Sequence, residues 1–198
     1  MIRKAKDSDI ESLVKIHRDS LPHSLLPRLG EKFLREKFYP LILNSDNALL
    51  LVKELKGEVV GFALFAYNGN LLTKEIMKHK ISLGTALIKK VFSDFKILSA
   101  ALRRLKAPRT IVEKQVPAID EIPEFYVLAV SSNFRNKGIG SKLTEKGLSM
   151  LREKNQTKCI AKPASYVAHN FLLKLGFRDI GKEVREGNER TLMLYDIK

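Results

Sequence analysis

Apolar residues recur along this chain with two periods, one typical of helices and one typical of strands. Apolar positions three or four residues apart predict amphipathic helices, and short apolar runs bounded by turn residues predict strands. Helices are predicted over residues 8–20, 31–44, from the end of RNKGIG to about 155, and 165–175. Strands are predicted over residues 2–5, 48–53, 59–67, 125–131, 158–162, 177–184 and 191–197. This alternation predicts an α/β fold.

A basic segment over residues 71–120 interrupts the alternation. Within it, residues 74–114 hold eleven Lys or Arg against three acidic residues, a net +8 that is more than half of the chain's +14. Six apolar residues at helical spacing predict one amphipathic helix there: Ile88, Val91, Phe95, Leu98, Leu102 and Leu105. We therefore expect a single domain over residues 1–198 with a basic helical insertion over residues 71–120.

The net charge of +14 favours a polyanionic partner: nucleic acid, an anionic membrane surface or a phosphorylated small molecule. Nucleic acid is disfavoured, because the chain has no Trp and lacks the interleaved aromatic residues that stack on single strands. Cys159 is the only cysteine, so no internal disulfide can form, which fits a reducing, cytoplasmic setting. No signal peptide or transmembrane segment is expected. The four histidines are scattered, so no metal site is expected.

The sequence RNKGIG, residues 135–140, lies between the most strongly apolar strand and a helix. A helix start leaves backbone amides unpaired and carries a partial positive charge. Glycine removes the side-chain bulk that would keep an anion away. The segment is therefore either a tight turn or a phosphate cradle. It lacks the Lys-Ser/Thr of a P-loop and the third glycine of a dinucleotide fingerprint.

The run from Leu128-Ala129-Val130 to Gly140 resembles the acyl-CoA signature of the GNAT superfamily of N-acetyltransferases. In that signature an apolar triplet ends a strand, and Arg or Gln follows, with Gly three residues later and Gly or Ala two residues after that. Residues 2–20 resemble the family's first strand and helix, and Lys174-Leu175-Gly176-Phe177 resembles the end of its last conserved helix. The resemblance implies a mixed, twisted central sheet flanked by helices, with the helical insertion before the central strand. It also implies acetyl transfer from acetyl-CoA to a primary amine.

The same resemblance implies where acetyl-CoA binds. The strands over residues 125–131 and 158–162 are expected to splay apart, with the co-substrate between them. The residues implied to hold it are Leu128, Ala129, Val130, Arg135, Asn136, Lys137, Gly138, Ile139, Gly140, Ser141 and Ser165. Ser165 has two readings, since its hydroxyl could bind CoA or cap the helix that follows it.

Catalysis requires a group that takes a proton from the acceptor amine and a donor for the thioester oxygen. The resemblance implies Glu124 as the general base and the amide of Val130 as the oxyanion donor. Strand alternation predicts that Glu124, Tyr126 and Leu128 share one face. The alternative for Glu124 is a solvated carboxylate at a strand end.

The chain departs from the family pattern at Leu172, which stands where many relatives carry the Tyr that protonates the leaving thiolate. Solvent, Tyr126 or Tyr166 are the candidate substitutes. His169 is interpreted as an ordinary helix residue. Cys159 is interpreted as a small buried apolar residue, because nothing nearby in sequence would activate its thiol.

Three functional hypotheses follow. The first is acetyl transfer to a small-molecule amine, such as an amino sugar or a nucleotide-linked sugar. It draws on residues 24–34, which are similar to GNAT proteins of sugar and surface-polysaccharide pathways. The alternatives are a protein or peptide N-acetyltransferase and a non-catalytic acyl-CoA-binding regulatory domain. The predicted helix over residues 88–105 has three readings: a lid over the acceptor site, a contact with a second copy, a partner or a membrane surface, or a cover for its own domain.

Overall fold

A computed structural model of the chain describes residues 1–22, 25–81, 110–112, 119–185 and 188–198. Its strands are β1 (Ile2–Lys4), β2 (Ala48–Leu55), β3 (Glu58–Ala66), β4 (Thr110–Val112), β5 (Glu124–Val130), β6 (Lys158–Ala161), β7 (Arg178–Arg185) and β8 (Asn188–Asp196). Its α-helices are α1 (Ile10–Ser20), α2 (Leu25–Arg28), α3 (Glu31–Phe33), α4 (Tyr39–Asn44), α5 (Gly69–Ile81), α6 (Ile139–Glu153) and α7 (Tyr166–Lys174). The predicted helix over residues 88–105 lies outside the described residues.

The strands form one mixed sheet in the order β1-β2-β3-β5-β6-β8-β7-β4. Within the described ranges, β5 and β6 are the one parallel pair, and each of the other neighbouring pairs is antiparallel. The β2–β3 hairpin turns at Lys56 and Gly57, both with positive φ, as the twist of a hairpin favours. The mixed α/β sheet flanked by helices confirms the predicted fold class.

Helices cover both faces of the sheet and enclose a separate apolar core on each. The first core packs α1, α3, α4 and α5 against one face, and α5 contributes Leu72 and Ile76 to it. The second core packs α6 and α7 against the other face. Gly147 of α6 lies directly over Phe65, so that a Cβ at residue 147 would overlap the ring. This close approach seats α6 tightly on the centre of the sheet.

The predicted helix over residues 31–44 is not continuous. It comprises α3, a π-helical turn over Leu34–Phe38, and α4, which has Pro40 in its first turn. Proline has no N–H for the helical ladder, and its ring clashes with the carbonyl four residues earlier, which accounts for the change of hydrogen-bond register. The segment between the predicted helices over residues 8–20 and 31–44 holds the short helix α2. No helix within the described ranges is long and apolar enough to cross a membrane.

A histidine is buried in the first core. His17 is 1% exposed, and its Nδ1 lies 2.9 Å from the hydroxyl of Tyr39. That hydroxyl in turn donates to the carbonyl of Leu13 at 3.3 Å. Burial lowers the pKa of His17 from 6.5 to about 4, because the charged imidazolium is poorly solvated in this apolar setting.

We expect acid to unfold this protein from about pH 6.5 downward. The pKa of His17 is about 4 in the folded chain and about 6.5 in an unfolded one. Between these values the unfolded chain binds more protons, so its population rises as the pH falls. Between about pH 7 and about pH 5 this group should lower the free energy of unfolding by about 2 kcal/mol. Urea titrations at these two pH values measure the decrease.

The matched variants are His17→Leu and His169→Gln. His17→Leu should remove most of the pH dependence in this window, whereas His169→Gln changes a histidine outside the core and should keep it. A His17→Leu variant as sensitive to acid as the unaltered protein would contradict the assignment.

Candidate functional site

The central feature of the site is a fork between β5 and β6. The two parallel strands pair at only two positions, Glu124 with Ile160 and Phe125 with Ala161. β6 then ends, whereas β5 continues to Val130. The strands therefore stop pairing where the sequence analysis expected them to splay. Among the described residues no strand pairs with this edge of β5 beyond Phe125, and we refer to the space beside it as the gap.

The edge of β5 presents particular backbone groups to this gap. On its other side β5 pairs antiparallel with β3, and the amide of Ser131 donates to the carbonyl of Val60 at 3.0 Å. In an antiparallel strand, successive residues direct their N–H and C=O groups to opposite sides. The backbone groups of Leu128 and Val130 therefore point away from β3, into the gap, whereas those of Ala129 point towards β3.

A β-bulge on β5 sets the faces of its side chains. Leu64 pairs with Val127, but the next residue of β3, Phe65, pairs with Phe125, so Tyr126 is an extra residue in β5. Tyr126 packs with the first core, on the side of Glu124, whereas Leu128 packs with the second. The predicted common face is thus correct for Glu124 and Tyr126 and wrong for Leu128, because the bulge reverses the alternation.

Glu124 is a buried carboxylate with a cation beside it. Its residue is 8% exposed, and Lys162 Nζ donates to its Oε2 at 2.8 Å. Lys162 Nζ also lies 3.8 Å from Glu183 Oε2 on β7. Gly69, the first residue of α5, packs so closely that a Cβ there would overlap Glu124 Oε2. Glu124 is therefore not a solvated carboxylate at a strand end, which was the alternative interpretation of this residue.

Sequence reasoning missed Lys162, Glu183 and Gly69. A signal existed for Lys162, because it is the last residue of the short strand predicted over residues 158–162, which was expected to lie beside the strand over residues 125–131. No comparable signal marked Gly69 or Glu183, since their positions depend on how α5 and β7 pack.

Tyr126, the other catalytic candidate, lies on the same side of the sheet as Glu124. Its hydroxyl is 3.3 Å from Thr73 Oγ1 of α5. Thr73 Oγ1 also donates to the carbonyl of Gly69 at 2.7 Å. Glu124 and Tyr126 are thus both held against the first turns of α5.

The RNKGIG turn lies at the start of α6. Asn136 and Gly138 both have positive φ, at 60° and 72°. The first helical hydrogen bond runs from the amide of Lys142 to the carbonyl of Gly138 at 3.1 Å, and no side chain caps the helix. The amides of residues 139–141 therefore start the helix without a capping side chain, in the arrangement that suits an anion.

The two glycines of the turn serve different purposes. Gly138 has open space around it but adopts a left-handed conformation that most side chains disfavour. A Cβ on Gly140 would come within 3.3 Å of Leu128 and 3.4 Å of Phe171. Gly138 thus serves the backbone turn, and Gly140 lets α6 begin close to β5 and α7.

The basic side chains of the turn bind backbone carbonyls. Arg135 Nε donates to the carbonyl of Val130 at 3.1 Å, and the hydroxyl of Ser20 donates to the same carbonyl at 3.1 Å. Lys137 Nζ donates to the carbonyl of Asn133 at 3.0 Å and lies 5.2 Å above the ring of Phe134. Arg135 thereby links the turn directly to the free edge of β5.

The other residues that the sequence analysis singled out lie on or around α7 and β6. Ser165 Oγ accepts from the amide of Ala168 at 3.2 Å, which caps α7. Leu172 is buried in the second core, whereas Tyr166 is 78% exposed. His169 Nε2 lies 2.8 Å from Asp179 Oδ1. Cys159 is fully buried, and burial raises the pKa of its thiol well above the ordinary value, as expected for an inert apolar residue.

Comparison with known proteins agrees with this geometry. The profile of the Acetyltransferase (GNAT) family matches residues 115–177, which span Glu124, the fork, the RNKGIG turn and α7. An N-acetyltransferase from Staphylococcus aureus Mu50 superposes with a TM-score of 0.61 at 16% identity, covering 100% of this chain and 98% of its own. A ribosomal-protein-alanine N-acetyltransferase from Brucella melitensis superposes with a TM-score of 0.61 at 20% identity, covering 99% of each chain. The PaiA N-acetyltransferase from Thermoplasma acidophilum, in complex with coenzyme A, superposes with a TM-score of 0.60 at 15% identity, covering 99% of this chain and 98% of its own.

A curated protein also matches in sequence. Falcipain-2b from Plasmodium falciparum is 26% identical over 155 residues, which are 78% of this chain and 28% of that protein. The chain therefore spans little more than a quarter of its length.

Residues 115–177 thus match the Acetyltransferase (GNAT) family, and the chain as a whole has the fold of the solved N-acetyltransferases.

We expect Gly69→Ala to impair acetyl transfer more than stability. The new Cβ would displace the flexible end of Glu124, the residue that the family resemblance implies as the general base. Misplacing a general base by about 1 Å costs about 100-fold in rate. The free energy of unfolding should change by no more than about 1 kcal/mol, because alanine is the better helix former. Thiol release from acetyl-CoA and urea unfolding measure the two effects.

Leu71→Ala is the control, since Leu71 lies two residues further along α5 and is 49% exposed. It should leave both quantities near their original values. Equal rates for the two variants would show that the position of the Glu124 carboxylate does not limit transfer.

Proposed function

We propose that this protein transfers an acetyl group from acetyl-CoA to the primary amine of a small molecule, with an amino sugar or a nucleotide-linked sugar as the candidate acceptor. The observation that carries the acetyl-CoA part is the fork between β5 and β6, with the uncapped start of α6 beside it. A neighbouring fold solved with coenzyme A supports the same assignment.

The chain's residues fit acetyl-CoA in two places. The first-turn amides of α6 and the turn over residues 135–138 would hold the pyrophosphate. The backbone groups of Leu128 and Val130 that face the gap would pair with the amides of the pantetheine arm. Ser165 accepts one hydrogen bond from its helix, and its own O–H would remain for the co-substrate. When bound, acetyl-CoA supplies an activated acetyl thioester.

The remaining chemistry is assigned to the chain's own groups. Glu124 would take the proton from the acceptor amine, since it is a buried carboxylate beside the fork. The amide of Val130 points into the gap and would donate to the thioester oxygen. Tyr126 is the candidate proton donor to the leaving thiolate, because Leu172 is apolar and buried.

One observation favours a second candidate, a non-catalytic acyl-CoA-binding domain. The position at which many relatives carry an acidic Tyr hydroxyl is here the buried Leu172. The acceptor also has an alternative, because one neighbouring fold is named as a ribosomal-protein-alanine N-acetyltransferase. An assay of thiol release identifies the class of acceptor. It compares the rates with amino sugars, nucleotide-linked amino sugars and peptides with free N-termini.

We expect acetyl-CoA to raise the melting temperature by on the order of 5 °C or more. Ligand at about 100 times its Kd adds about 2.7 kcal/mol to the free energy of unfolding, and a chain of this size gains about 2–4 °C per kcal/mol. NAD and ATP are the control ligands. No shift with acetyl-CoA would mean that RNKGIG is only a turn.

A pair of variants at Gly138 tests whether the turn holds the phosphates. Asn and Asp both tolerate positive φ, and the space around Gly138 admits either side chain. Gly138→Asn should retain most of the shift produced by acetyl-CoA. Gly138→Asp should lose it, because its carboxylate repels the pyrophosphate. Equal shifts in the two variants would place the phosphates elsewhere.

Glu124→Gln distinguishes the enzyme from the non-catalytic domain. If Glu124 is the general base, transfer falls by about 100-fold or more, while the melting shift with acetyl-CoA persists. A Glu124→Gln variant with undiminished transfer would remove Glu124 from the mechanism. An unaltered protein that shows the melting shift but transfers to no amine in the panel would favour the non-catalytic domain.

A further inference from the structure

Lys162 forms an ion pair with the candidate base Glu124 and has no role in the mechanism so far. Its side chain is 13% exposed and that of Glu124 is 11% exposed, with 2.8 Å between Nζ and Oε2. It directly follows Ala161, whose pairing with Phe125 is the last between β5 and β6. Lys162 thus lies at the base of the fork.

A buried carboxylate needs such a partner to stay charged. Without a nearby cation, burial favours the protonated form, which cannot accept a proton. An ammonium within hydrogen-bond reach favours the carboxylate instead. Lys162 also binds Oε2, the oxygen that packs against Gly69, so the ion pair determines which oxygen of Glu124 turns towards α5.

Glu183 completes the arrangement from the other side. It is buried on β7, and its Oε2 lies 3.8 Å from Lys162 Nζ. Lys162 is therefore placed between two carboxylates, one on β5 and one on β7. This placement links the base of the fork to a strand that does not itself border the gap.

We propose that Lys162 is a positioning residue for acetyl transfer, which pairs with the Glu124 carboxylate, orients it at the fork and is itself anchored by Glu183. The inference rests on the proposed function, in which Glu124 is the general base. Lys162 has a second effect on the acceptor. Its positive charge disfavours an ammonium beside Glu124, so it promotes the neutral amine that attacks the thioester.

The pH profile of kcat/KM for thiol release tests the proposal with Lys162→Met and Lys162→Arg. In Lys162→Met, Glu124 should take up a proton more readily. The acid limb, the pH range over which kcat/KM falls as the pH is lowered, should therefore move about 1 to 3 pH units upward. Lys162→Arg keeps the charge and should keep the limb near its original position. A Lys162→Met profile that is lowered uniformly, with its limb unmoved, would overturn the proposal and leave Lys162 a structural contact.

Melting temperatures give a readout independent of activity. The melting temperature of Lys162→Met should fall further below that of the unaltered protein at about pH 8, where the two carboxylates beside residue 162 are charged, than at about pH 5. Adding Glu124→Gln should recover part of that loss, because the uncompensated charge is removed. Lys182→Met is the matched control, since Lys182 and Glu189 form an exposed 2.7 Å ion pair on β7 and β8. A loss in Lys162→Met that is the same at both pH values would count against the proposal.

The two experiments separate this inference from the proposed function. If the unaltered protein releases no thiol with any amine, the proposed function fails, and the melting series still reports whether Lys162 offsets the charge of the Glu124 carboxylate. If the protein is active and both readouts of Lys162→Met match those of Lys182→Met, only the role of Lys162 fails. Should Lys162→Met not fold, a Lys162→Arg limb displaced upward by about one pH unit or more would overturn the proposal.

Discussion

The site depends on how little β5 and β6 pair. Two residue pairs hold these parallel strands together, and the polar backbone of β5 is then left without a strand partner on that side. A buried backbone edge is costly unless something satisfies it. The protein meets part of this need itself, since Ser20 and Arg135 both donate to the carbonyl of Val130. The amides that remain are the ones suited to an extended ligand with its own amide groups.

Packing around the fork keeps it open. Gly147 brings α6 onto Phe65, and Gly140 lets the start of that helix approach Leu128 and Phe171. Phe65 in turn stacks on Phe125 with ring centroids 4.6 Å apart. The start of α6 and the last paired residue of β5 are thus fixed relative to each other through aromatic side chains. This rigid spacing suits a ligand that must contact both.

Local patterns in the sequence were sufficient for most of the strands and for the turn, because both depend on near neighbours. The hairpin at Lys56-Gly57, the strand from Glu124 and the glycines of RNKGIG all carry such signals. The surroundings of Glu124 carry none, since Gly69, Lys162 and Glu183 meet it only through tertiary packing. The bulge at Tyr126 was equally invisible, because it depends on register with β3. Pro40 did signal a break in its helix, but the π-helical register that accommodates it needed the structure.

The extra residue at Tyr126 separates two tasks along one strand. Glu124 and Tyr126 turn towards α5 and the first core, whereas Leu128, which follows the bulge, turns towards α6 and the second core. In the proposed function, the acceptor and the co-substrate would therefore be handled on opposite faces of the sheet. Substitutions in α5 would then alter acceptor preference while the co-substrate surface stays unchanged.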